Sequence, residues 1–156
     1  MEPLQQLQLQ KNWINQEKHQ TMNENQLIIE QVSPYDVAAT VEKLIEAASK
    51  REWQNPAVHN LQQSLSKSGK EVRPVQVVEI CKADYSGKML EKNHERISSI
   101  LMPCRISVYE KEDGKTYVAL LNMGGMTAGM QADTASAIHG ASDETFEIVK
   151  SVIGPF

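Results

Sequence analysis

An α+β domain, with a mainly antiparallel sheet and helices packed on one of its faces, is the fold this sequence predicts. Three observations carry the prediction. Residues 102–122 read as two alternating strands joined at Asp113-Gly114, the pattern of a β-hairpin. Val37, Val41, Leu44, Ile45 and Ala48 recur at helical spacing and form one apolar stripe. The order strand, helix, helix, strand, helix, hairpin, helix lacks the regular alternation that builds parallel sheets.

The elements follow in order. Met1 to Asn25 is rich in Gln and Asn, with a patchy stripe of Leu4, Leu7, Trp13 and Ile14. Its composition predicts a disordered or loosely helical tail, with a short helix packing on a partner subunit as the alternative. Met22 is a second candidate start. The domain is expected over 26–156. Gln26 to Val32 is a short apolar run that stops at Ser33-Pro34, so it reads as a strand. Ser33 is expected to cap the first helix, with Pro34 at its first position and Asp36 in its first turn. That helix is expected to end near Trp53, ahead of Asn55-Pro56. A second helix is expected from about Ala57 to Lys67, carrying Val58, Leu61 and Leu65, and stopped by Ser68-Gly69. Val72 to Cys81 reads as a strand whose start is weakened by Pro74, and Tyr85 to Lys92 as a short helix.

The hairpin register can be derived. A three-residue loop at Glu112-Asp113-Gly114, with Gly114 left-handed, sets Val108 opposite Val118 and Ile106 opposite Leu120. Cys104 then faces Asn122, and Tyr109 faces Tyr117 on the other side. A slip of one residue would unmatch every pair. Cys104 therefore shares the inward face with Ile106 and Val108, while Arg105 and Ser107 point away. After Gly124-Gly125 the chain is small and Met-rich, and a last helix is expected from Ser142, with Asp143 and Glu144 in its first turn.

Composition narrows the function. The chain has 156 residues, enough for one core without disulfide or metal staples. A net charge of −4 opposes nucleic-acid or anionic-membrane binding. There is no apolar run long enough to span a bilayer and no secretory leader pattern. Two cysteines are too few for a disulfide framework and suit a reducing cytoplasm.

The segments VHNLQ at 58–62, VVEIC at 77–81 and above all LMPCRISVYE at 101–110, followed by Asp113-Gly114, resemble the family called domain of unknown function 302. The resemblance runs from about Val32 to Ile153. It implies a fold similar to the TATA-binding-protein-like α+β arrangement, and homodimers. It implies no activity, and the fold likeness carries no DNA binding with it.

Cys104 and Cys81 are the first candidates for chemistry. Each reads as a buried small hydrophobe, as half of a redox pair, or as a ligand shared by a metal or haem. On an apolar face the thiol pKa should rise, and no CxxC is present. His59, expected near a helix start, is the candidate third member. Met102, Ile106, Asn122 and Met126 are the candidate pocket lining. Met123, Met126 and Met130 fill core gaps or line a site for an apolar ligand. No Walker loop, GxGxxG, nucleophile elbow or paired carboxylate is present. The sequence therefore points to a non-catalytic module for a small ligand, metal or haem. The alternatives are a thiol redox enzyme using Cys104 and Cys81, and a structural subunit.

Overall fold

The computed structural model describes residues 26–156; the N-terminal tail expectation lies outside the described residues. Five strands form one antiparallel sheet in the order β1-β5-β4-β3-β2. They are β1 (Ile28–Ser33), β2 (Val58–Asn60), β3 (Val75–Ile80), β4 (Cys104–Glu110) and β5 (Thr116–Leu121). The α-helices are α1 (Val37–Lys50), α2 (Leu61–Ser66), α3 (Ala83–Leu90) and α4 (Ala132–Ile153), with 3-10 turns at Asn93–Leu101 and Met123–Met126. The α+β class with an antiparallel sheet is what the sequence predicted.

The hairpin holds its derived register. Ile106 pairs with Leu120, Val108 with Val118 and Tyr109 with Tyr117, and Gly114 closes the loop with φ 76°. β4 then pairs with β3, setting Val78 beside Ile106 and Ile80 beside Cys104. Because side chains alternate along a strand, Val78, Ile80, Ile106, Val108 and Val118 all face one way. There they meet Leu44 and Ala48 of α1 and Ile148 and Val149 of α4 in one buried core. A smaller cluster of Met89, Met123, Ala137 and Ile138 adjoins it, and Cys104 and Tyr85 pack against both.

Four expectations need correction. Asp36, not Ser33, caps α1, and its side chain accepts from the Ala39 amide at 2.7 Å. Ser33 stays in β1, where it shares a 2.7 Å hydrogen bond with Thr40 Oγ1. That threonine hydroxyl already donates to the Asp36 carbonyl at 2.7 Å, so Ser33 is the donor. α1 stops at Lys50, short of Trp53. Residues 58–60 form an edge strand rather than a helix start, because they pair with 76–78 of β3. Asn60 then caps α2, accepting from the Gln63 amide at 3.0 Å. The last helix begins at Ala132, ten residues before Ser142. Its buried face here is mostly small: Thr134, Ala137, Ala141, Ser142 and Thr145 are buried at helical spacing, with Ile138 the one large side chain among them. Asp143 and Glu144 accordingly lie in mid-helix.

Gly140 in α4 lets α3 come close. A Cβ there would lie 2.6 Å from Tyr85 Cε1. Alanine would gain about 1 kcal/mol of helix propensity, but overpacking costs about 1–3 kcal/mol. Gly140→Ala is therefore expected to lower stability and displace Tyr85, visible as a lower urea midpoint and a changed near-UV circular dichroism. Ile106→Ala, at a fully buried position, is expected to cost about 2–5 kcal/mol in the same unfolding assay.

Candidate functional site

Cys104 opens β4, directly opposite Ile80, and Cys81 follows Ile80 at the end of β3. The two thiols are thus brought to one place. Both border a void of about 20 Å³, with Met102, Tyr85 and Met89 among its other walls. This space holds little more than a single water. Cys81 leaves the sheet by a two-way backbone bridge with Gln54 (2.8 and 2.9 Å), and its Sγ lies 3.7 Å from Ser86 Oγ. Burial pushes the Cys104 thiol up to about 11, with the proximity of Cys81 adding to the rise and the Thr145 hydroxyl working the other way. Both cysteines are free.

His59 does not join them. As part of β2 it pairs with Val77, so it belongs to the opposite face of the sheet. Its Nε2 makes a hydrogen bond with the Glu79 carboxylate there. The expected helix-start position fails because strand pairing with β3 claims residues 58–60. Among the described residues no group of three or more His, Cys, Asp and Glu side chains is placed to hold a metal ion.

A larger space lies on the other side of Cys104. Where β4 begins and β5 ends, the 3-10 turn of Asn93–Leu101 crosses the end of the sheet and leaves a cavity of about 80 Å³. Its apolar walls are Ile100, Leu101, Pro103, Leu120, Leu121 and Met123. Cys104, Thr145 and Arg105 supply the polar groups. Thr145 Oγ1 donates to the Ala141 carbonyl at 2.7 Å, so its proton is committed inside α4. Arg105 points away from Cys104 by strand alternation and is exposed, which places it at the solvent edge. Ile100 is 85% exposed and Ile97 79%, an unusual display for two isoleucines three residues apart.

Of the expected lining, Met102 borders the smaller void, whereas Ile106 is sealed in the core. Asn122 and Met126 border neither space; Asn122 donates its amide to the Leu27 carbonyl at 2.8 Å. Met123, one of the three methionines offered as lining for an apolar ligand, does border this cavity; sequence reasoning missed Ile100, Leu120, Leu121 and Thr145. The signal available was Ile97, Ile100 and Leu101, spaced i, i+3 and i+4 in a stretch to which sequence reasoning gives no element.

A second polar group lies on the open face. Tyr109 and Tyr117 stack with centroids 6.2 Å apart. Tyr109 donates to Glu30, Lys111 pairs with Glu30 at 2.7 Å, and Tyr117 donates to Asp113. These groups bond to one another, and Tyr109, Lys111 and Asp113 also line an open groove with Arg73 and Pro74.

The family described as domain of unknown function DUF302 matches residues 29–153. The chain belongs to this family. Its structure is similar to the crystal structure of an uncharacterized conserved DUF302 protein from Bacillus stearothermophilus, with a TM-score of 0.71 and 14% identity. The likeness covers 81% of this chain and 98% of that one, and at this identity it speaks for the fold alone. No curated protein matches the chain. Among the described residues, no helix of this DUF302 protein is long and apolar enough to cross a membrane.

The raised Cys104 pKa has a checkable consequence. A free thiol loses its proton near 9, whereas folded Cys104 keeps it to about 11. The stabilisation is therefore complete below pH 9 and is lost as pH rises to about 11. Two units correspond to about 3 kcal/mol. The comparison is with Cys104→Ala, whose stability should fall less steeply over that window in urea titrations. At neutral pH, native Cys104 should alkylate far more slowly than a free thiol.

Proposed function

We propose that this DUF302 protein is a non-catalytic binding module that takes a small apolar ligand in the cavity at the Cys104 end of the sheet. In this reading it works as a cytoplasmic homodimer. The cavity carries the proposal: about 80 Å³ in volume, it is walled by six apolar side chains and bordered by exposed Ile100. Water in such a space finds few hydrogen-bond partners, so displacing it by an apolar group is favourable. Drug-sized pockets begin at roughly 300 Å³, so the occupant is a small molecule or one end of a longer one.

Self-association is supported by the uncovered sheet face, where Ile28, Val32 and Leu121 are 59%, 47% and 39% exposed. Apolar surface of this kind marks contact with a partner. The free thiols suit a reducing compartment. A thiol enzyme needs a readily formed thiolate, and the surroundings of Cys104 oppose one. A metal or haem held by Cys104, Cys81 and His59 would need donors from both faces of the sheet.

Native mass spectrometry of purified full-length protein reads subunit number and retained ligand together. A dimer carrying a small apolar molecule, or a thermal shift on adding 1-hexanol, is the expected result. Ile100→Trp, which narrows the cavity at an exposed position, should remove at least tenfold in hexanol affinity without changing stability. A monomer with no hexanol binding would leave only the structural-subunit reading.

A further inference from the structure

The polar side chains walling the cavity are Cys104, Thr145 and Arg105, and only Arg105 carries a charge. We infer that the cavity binds short-chain aliphatic carboxylates, with Arg105 as the group that anchors the carboxylate. This rests on the cavity reading above and names its ligand class.

Thr145 donates to Ala141, and Cys104 holds a neutral thiol, a weak donor. The guanidinium of Arg105 has no hydrogen-bond or ion-pair partner among the described residues. Nearby cations differ: Lys82 pairs with Glu144 at 3.4 Å and Lys92 with Asp133 at 2.7 Å. Glu79 lies opposite Arg105 in the strand register, but its carboxylate is bonded to His59. A planar guanidinium matches a carboxylate with two parallel hydrogen bonds.

Position matters as much as charge. Arg105 lies at the solvent edge, and Leu120, Met123 and Leu101 line the same cavity. A ligand with an anionic head and an apolar tail satisfies both ends at once. One guanidinium, with no second cation lining the cavity, is too little for a phosphate dianion, which takes several donors. The volume of about 80 Å³ accepts a tail of roughly four to six carbons.

The test titrates full-length protein with hexanoate and, separately, with 1-hexanol, following methyl resonances of Ile100 and Met123. Hexanoate is expected to bind more tightly, and Arg105→Gln to weaken it about tenfold while leaving hexanol unchanged. Arg105→Lys, which keeps the charge without the fork, should fall between. Equal binding of both ligands, unaltered by Arg105→Gln, would overturn the carboxylate assignment and leave the apolar site standing. Hexanoate binding insensitive to Arg105→Gln would overturn the role of Arg105. Binding of neither ligand would overturn this inference and the proposed function together.

Discussion

The pairing of β4 with both of its neighbours is the constraint on which the rest of this structure depends. β4 lies inside the sheet, bonded to β3 on one edge and β5 on the other. Its alternation sends Cys104, Ile106 and Val108 toward the helices and Arg105, Ser107 and Tyr109 to the open face. A shift of one residue would expose Ile106 and Val108, each losing about 1.5–3 kcal/mol of burial, and would bring a guanidinium against the core. The penalty approaches the whole stability of a domain this size, about 5–15 kcal/mol. Register is therefore fixed, and with it the side of the sheet on which each candidate residue lies.

This constraint explains what the sequence revealed. The hairpin was legible because its signals agree: alternation on both arms, matched pairs across them, and a glycine where the loop needs positive φ. α1 was legible because its apolar stripe is continuous. The edge strand at 58–60 was not, since three residues are too few to establish a period of two. Its neighbours Leu61 and Leu65 suggested one longer helix. The first ten residues of α4 escaped because Thr134, Ala137, Ala141 and Ser142 bury a face without looking hydrophobic. Packing against Tyr85 and Met89, which the chain order cannot reveal, makes that face an interior one.

The site divides in the same way. Cys81 and Cys104 stand at the ends of adjacent strands and border one void, which the sequence allowed without deciding. The place of His59 rested on a helix start that strand pairing replaced, so a three-donor centre dissolves into a thiol pair on one face and an imidazole–carboxylate pair on the other. Most of the cavity lining, Cys104 and Met123 apart, could not be read. It depends on the turn at 93–101 crossing the end of the sheet, a tertiary arrangement with no periodic signature. Its two outward isoleucines were the local inconsistency that sequence alone offered.

The cavity's chemistry then follows from where the strands stop. Inside the sheet, backbone groups are consumed by the ladder and inward side chains by the core. At the mouth of β4 the ladder ends, so residues from both faces reach the same space: Cys104 from the helix side and Arg105 from the open side. Burial disfavours the Cys104 thiolate. Thr145 is bound to its own helix. In the proposed reading, an occupant would meet apolar surface nearly everywhere and a strong, directional donor set in one place. Selectivity in such a site comes from whichever ligand would leave that donor set unpaired, because an apolar wall distinguishes poorly between tails of similar size.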